Sequence, residues 1–296
     1  MLTALVWGAT FTLTKNALTR VDVYPFLFVR FFVATVVLVA IVLLTSRRHR
    51  FFDSRTLGFG VPLGMILFGA YAFQTMGLGN TSPAITGFLT GLYVVLVPIL
   101  SIPLFRTSPP RRMWMGALIA AVGLALISGP GILHLQTGDI QVLICAVFLA
   151  LQILLIEKYG RTMDALILAT IEILVVAICS LIVSGFQGST ELLTLHVWLQ
   201  PVVLWGVVIN AVLGTSLAYW GQNIFQQNIT AAQIAVIFSM EPVFAALVAW
   251  VAAGDILSPL QMVGGLLIVA SMLMVDPHVS WTRRYSRRSS ERVIRK

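Results

Sequence analysis

The chain has 296 residues, 58% of them hydrophobic and only 10% charged, where a soluble globular chain carries roughly 25% charged residues. A mean hydropathy of +0.96 spreads apolar residues over every segment, so lipid is the solvent and a soluble domain is excluded. The net charge of +8 raises the possibility of nucleic-acid binding, but seven of the 19 basic residues crowd into the last 14 positions and most others into two short loops. That placement is a membrane-topology signal.

A hydrocarbon core about 30 Å thick takes roughly 20 apolar residues at 1.5 Å rise each. Ten stretches meet this, near 2–18, 24–45, 57–78, 83–105, 114–133, 139–158, 163–184, 199–220, 231–253 and 257–275. The first lacks a basic n-region, so it is expected to stay as a helix rather than be cleaved as a signal peptide. It carries Trp7 and, in its last turn, Lys15, whose stem can reach the headgroups. The second span places Arg30 one to two turns inside the membrane. The third holds Tyr71 and Gln74 with a Gly60/Gly64 spacing, and the fourth holds Tyr93 with Gly87/Gly91. Both glycine pairs suit close helix packing. Gln152 lies in the sixth span, Glu172 in the seventh, and Asn210, Tyr219, Gln222 and Asn223 in or just beyond the eighth. Glu241 falls about 16 Å into the ninth by the same helical rise, near the midplane, and Pro242 follows it. Cys145 and Cys179 both sit in apolar stretches, which supports neither a disulfide framework nor a cysteine metal site.

Loops after the even-numbered spans share one side of the membrane and hold 16 basic residues with the tail, while the opposite loops hold only Arg20. The Lys/Arg excess marks the cytoplasmic side. The expectation is a multi-pass protein of the cell membrane with both termini cytoplasmic. The tail, 277–296, is expected to lie on anionic lipid, and the loops leave no room for a soluble catalytic domain.

An internal repeat organises the spans. Ala70-Tyr71-Ala72-Phe73-Gln74 resembles Ala218-Tyr219-Trp220-Gly221-Gln222 at an offset of 148, kept by Asn80 and Asn228; Thr81, Pro110 and Gly116 match Thr230, Pro259 and Gly265 at 149. The predicted fold is therefore all-α, ten transmembrane helices in two five-helix repeats, 1–133 and 139–276. Five is odd, so the second repeat enters the membrane inverted, an arrangement that suits alternating access to a midplane site. The sequons at Asn80 and Asn228 then reflect shared ancestry, since they would face opposite sides.

An ionisable group at the bilayer centre costs roughly 3 kcal/mol on insertion scales, so Glu241, Glu172, Arg30 and Lys15 each need a reason. Glu241 is the leading candidate for a cavity or coupling role, and Pro242, which frees a carbonyl and bends the helix, is the candidate hinge. Glu172 can bind and release a proton during a cycle; its structural alternative is pairing with Arg30 or Lys15. Either cation can instead hold an anionic substrate group. Trp7, Tyr71, Gln74, Tyr93, Gln152, Asn210, Tyr219 and Gln222 recur at depths where only a lined cavity or an interhelical contact satisfies them, and form the substrate-site set. His49, His134, His196 and His278 fall in loops or the tail, and HExxH, Walker A and Gly-x-Ser-x-Gly patterns are absent. No enzyme, metal site or cofactor is expected.

Val6-Trp7-Gly8-Ala9-Thr10-Phe11 with Lys15-Asn16-Ala17-Leu18 and Val29-Arg30-Phe31 resembles the opening of EamA-type proteins of the drug/metabolite transporter superfamily. Glu241-Pro242-Val243-Phe244-Ala245-Ala246-Leu247 and Gly264-Gly265-Leu266-Leu267-Ile268 resemble the closing segment. The resemblance implies a cavity lined by the first, third, fourth, sixth, eighth and ninth helices. It also implies a secondary active transporter, an exporter of a small metabolite, amino acid or drug-like compound. The alternative is a non-transporting membrane component, lipid-binding or regulatory. An acidic residue often follows each half's fourth helix in the family; here the positions read Arg106 and Asp255.

Overall fold

The computed structural model describes residues 2–45, 53–106, 108–128, 136–244, 247 and 258–275. Every regular element among them is helical: α1 Leu2–Ala17, α2 Val23–Leu44, α3 Ser54–Asn80, α4 Pro83–Gly91, α5 Tyr93–Phe105, α6 Arg111–Ser128 and α7 Thr137–Tyr159. These are followed by α8 Ala165–Phe186, the short α9 Leu195–Trp198, α10 Pro201–Ala211, α11 Ala218–Gln226, α12 Ala231–Phe238 and α13 Pro259–Val275. Six helical runs are long and apolar enough to cross a bilayer, and 231–244 and 259–275 are shorter apolar helices. Phe32, Leu118, Trp205 and Leu266 lie exposed on the outside, apolar surface that lipid covers without cost. This is an all-helical, multi-pass membrane protein.

Several ends differ from the apolar runs. The third span starts earlier than predicted because the Asp53 carboxylate accepts from the N–H groups of Arg55 and Thr56 and caps α3. The Thr56 hydroxyl, also donating to it, holds that carboxyl below the ordinary carboxylate range. The eighth span runs on to Gln226 because its polar residues are buried inside the protein rather than left in lipid. Predicted residues 129–133 and the ninth span's 245–246 and 248–253 lie outside the described residues, as do Asp255 and the tail.

Two spans are interrupted. Leu92 forms a turn between α4 and α5, and Ser239–Met240 form one after α12, beyond which helix resumes at Glu241. The N-cap residues Ser82 and Thr230 start α4 and α12, so these helices keep the 148-residue spacing rather than the 149 that Thr81 and Thr230 indicate. A π-turn, Val212–Leu217, joins α10 to α11. The first helices of each half keep another register. α2 and α8 both have 22 residues, both follow an N-cap aspartate, Asp22 and Asp164, and start 142 residues apart at Val23 and Ala165.

Glycines set the closest helix approaches. A Cβ on Gly123 would lie 2.7 Å from the Gly264 carbonyl and one on Gly264 2.7 Å from the Gly123 carbonyl, so α6 and α13 touch backbone to backbone. Gly64 also brings α3 close to α8, where a Cβ would stand 2.9 Å from the Glu172 carbonyl. The two larger apolar cores lie one around α4, α5, α6, α7, α12 and α13, the other around α2, α3 and α8. Trp7 and Leu149 pack against both, and the cavity lies beside them.

Candidate functional site

Most of the candidate side chains converge on one cavity. Trp7, Thr10, Phe11 and Thr14 of α1, Arg30 of α2, Tyr71 and Gln74 of α3, Tyr93 of α5, Asn210 of α10, Tyr219 of α11 and Glu241 line it, with Thr90, Cys145 and Leu149 between them. Its volume is about 50 Å³, enough for a few waters and too little for a metabolite unless helices part. The lining draws on each span the family resemblance implied, and α2 joins them through Arg30.

The π-turn shapes one wall. Its wider winding frees carbonyls and shifts side chains by part of a turn. The freed Gly214 carbonyl accepts from the Trp7 indole N–H at 2.7 Å, and the Thr215 hydroxyl accepts from Arg30 Nε at 3.0 Å. Ser216 secures the turn by donating to the carbonyls of Ala34 and Ala211 at 3.1 and 2.8 Å. Arg30 also lies over the Tyr71 ring, 4.8 Å from its centroid, and reaches the Tyr71 hydroxyl at 3.5 Å, the edge of hydrogen-bond range. The Tyr219 hydroxyl donates to Tyr71 at 3.1 Å. Tyr71 thus accepts from two donors. Trp7 closes the cluster, edge-on to Phe238 at 4.9 Å and tilted on Tyr219 at 5.6 Å.

Arg30 is 4% exposed, and among the described residues it has no carboxylate in ion-pair range. Glu241, 7% exposed, has no hydrogen-bond partner among them. The Tyr93 hydroxyl is buried and unpaired as well. Tyr71 and Tyr93 line the same cavity as Arg30 and Glu241. Among the described residues, the cavity therefore holds a cation without a carboxylate, bonded only to hydroxyls and aromatic faces, and a carboxyl without a hydrogen-bond partner. Other lining groups are satisfied: Gln74 donates to Thr90 at 3.2 Å, and Asn210 accepts from Thr14 at 3.3 Å.

Gln152, Gln222 and Glu172 are not among the lining residues but meet nearby, between α7, α8 and α11. Glu172 is fully buried and accepts from Gln152 Nε2 at 2.9 Å and Asn223 Nδ2 at 3.0 Å. Gln222 donates to Gln152 at 3.0 Å and to Gln226 at 3.1 Å, and Gln226 donates to the Ile153 carbonyl at 3.2 Å. The Glu172 carboxylate thus pairs with amides and with neither Arg30 nor Lys15. Lys15 instead donates to three backbone carbonyls at the end of α3. Pro242 is the second residue of the helix that resumes after the Ser239–Met240 turn. Sequence reasoning passed over Thr14, Thr90 and Thr215, because threonine at membrane depth so often bonds its own helix.

A family model described as the EamA-like transporter family matches residues 1–129 and again 136–275. The chain belongs to the EamA-like transporter family. A protein of Archaeoglobus fulgidus designated an uncharacterized transporter is 32% identical over 278 residues, 94% of this chain and 84% of that protein. The uncharacterized transporter YrdR of Bacillus subtilis is 28% identical over 140 residues, 44% of this chain and 42% of the other. A solved crystal structure superposes with a TM-score of 0.76 at 18% identity, covering 94% of this chain and 95% of that one. At that identity the likeness shows the fold alone.

Proposed function

We propose that this protein is a secondary active transporter that exports a small amphoteric metabolite, an amino acid or a compound of similar charge pattern, by alternating access. The carrying observation is the convergence of both halves on one cavity that contains a cation with no carboxylate beside it and a carboxyl with no hydrogen-bond partner among the described residues. A buried charge left unpaired is costly, so Arg30 favours a ligand that brings an anionic group. Glu241 and Tyr93 favour the ammonium or hydroxyl of the same ligand. Tyr71, Gln74, Tyr219 and Trp7 contribute polar and aromatic walls between them.

Residues 1–133 and 139–276 are, in this reading, two five-helix repeats in inverted orientation. Both termini are cytoplasmic at the cell membrane, and the 277–296 tail lies on its lipid. Support comes from Tyr71 and Tyr219, 148 residues apart and hydrogen-bonded to each other, since counterparts meet only near the axis that relates them. The interruptions before Tyr93 and Glu241, again 148 apart, give each half a point about which to bend, with Pro242 as the hinge in the second. Glu241 exchanges a proton as the cavity changes face.

Flux in proteoliposomes across a pH series tests this. Glu241→Gln keeps the melting temperature of the wild type and loses the pH dependence of flux. A wild-type pH profile in that variant removes the carboxyl from the mechanism. Folded wild type that moves no amino acid, polyamine or nucleoside favours the lipid-binding alternative.

A further inference from the structure

The cavity lining on α1 and α3 ends at Thr14 and Leu78, and the next side chain along α1 ties the two helices together there. Lys15 Nζ donates to the carbonyl oxygens of Leu78, Gly79 and Thr81 at 2.7, 2.8 and 3.1 Å. These carbonyls end α3 and lead into α4, where the helix dipole favours a cation. One ammonium thus joins the end of α1 to the α3–α4 turn.

The second half carries a matching tie. Glu157, in the last turns of α7, accepts from the Ala231 N–H at 2.7 Å. Arg161, just beyond, donates to the Ile229 carbonyl at 3.2 Å and to Glu157 at 3.2 Å. Ala231 opens α12, so this pair joins the end of α7 to the α11–α12 turn. The positions correspond: Lys15 and Glu157 are 142 residues apart, as are the starts of α2 and α8, while Thr81 and Ile229 keep the 148 spacing. Each tie is internal to its own half, so one can break while the other holds.

We propose that Lys15 is the latch of one gate and the Glu157–Arg161 pair the latch of the other, each sealing the cavity from its own face of the membrane. The assignment rests on the alternating-access reading. Lys15 sits at the cavity end bounded by Thr14 and Leu78. Losing its three bonds lets α1 part from the α3–α4 turn and opens a path to Tyr71 and Gln74. Loss of the Glu157 and Arg161 bonds frees the start of α12, the helix that leads to Glu241.

Cys145 lines the cavity and is fully buried, so a membrane-impermeant maleimide reaches it only through an open gate. In a Cys179→Ala background, labelling is measured in right-side-out and inside-out vesicles. Lys15→Met raises the rate from the face at which α1 ends and lowers it from the other. Glu157→Met does the reverse, each by roughly tenfold, the loss expected for a charge-assisted hydrogen bond. Lys15→Arg, which keeps the donors, restores the wild-type ratio. Wild-type rates from both faces in both Met variants overturn the latches while leaving alternating access standing. Equal increases from both faces also overturn them, since they mean a loosened fold. Cys145 that labels from neither face in any variant overturns the latches together with the transport reading.

Discussion

Helices α2 and α8 have equal length and both follow an aspartate, yet at corresponding depths, 142 residues apart, one buries Arg30 and the other Glu172. The protein treats the two charges differently. Glu172 is enclosed by Gln152 and Asn223, whose amides both donate to it, and a second tier of Gln222 and Gln226 holds the first in place. Arg30 has a hydroxyl at Nε, aromatic faces beside it and a cavity in front. One half thus spends its buried charge on structure and the other leaves it open to a ligand. The lesson is that depth in the membrane identifies an unusual residue, and only its partners tell what the residue is for.

Removing each charge separates these roles most strongly. Glu172→Leu strands the Gln152 and Asn223 donors in an apolar interior, at a cost of about 1–3 kcal/mol for each buried group left unsatisfied. A drop of several degrees in the melting temperature of the detergent-solubilised protein is expected. Arg30→Met removes a buried cation that has no carboxylate partner among the described residues and whose contacts are hydroxyls and aromatic faces, so a smaller loss of stability is expected, but flux of substrates carrying an anionic group is abolished. Equal destabilisation by both variants would mean that Arg30 is as structural as Glu172.

The apolar runs were enough to locate the six helical runs long enough to cross a bilayer, because a bilayer demands both length and hydropathy and neither depends on neighbours. They did not show the interruptions at Leu92 and at Ser239–Met240, or the π-turn at Val212–Leu217, whose residues are ordinary apolar and small ones. The π-turn is bonded to Trp7, Arg30 and Ala34 of other helices, contacts that a reading of its own residues does not contain. Tyr71, Tyr219 and Glu241 were readable as site candidates because aromatic and acidic groups are conspicuous at that depth. Gln152, Gln222 and Glu172 were equally conspicuous, but the periodicity of a helix says which residues share a face and not what that face meets. The correspondence of Lys15 with Glu157 and of Arg30 with Glu172 was hidden for another reason: opposite charges do not align by similarity, and only the helix boundaries bring them into register.

The tyrosine pair that joins the halves offers a finer comparison. Tyr71 receives both Tyr219 and Arg30, whereas the Tyr219 hydroxyl's hydrogen bond is to Tyr71. Tyr71→Phe should therefore cost more than Tyr219→Phe. The double variant should fall short of the sum by about 0.5–1 kcal/mol, the coupling of one interhelical hydrogen bond in a membrane protein. A strictly additive cycle in thermal or denaturant unfolding would show that the two hydroxyls do not act on each other, and would weaken the argument that the axis between the halves passes here.

The smallest effect concerns a place where one half departs from its family's pattern. Arg106 ends α5 in the left-handed region, with φ of 55° and its N–H on the Ile102 carbonyl at 2.7 Å. A side chain in that conformation costs about 1 kcal/mol relative to glycine. An acidic residue there would also face the negative end of the helix dipole, whereas a cation gains about 0.3–1 kcal/mol from it. Arg106→Gly removes the strain and the favourable charge together, so a net gain of about 0.5 kcal/mol or less is expected in unfolding measurements. Arg106→Asp keeps the side chain and reverses the charge, and should lower stability. If glycine is also destabilising, electrostatics rather than backbone conformation governs this helix end, and arginine is there for its charge.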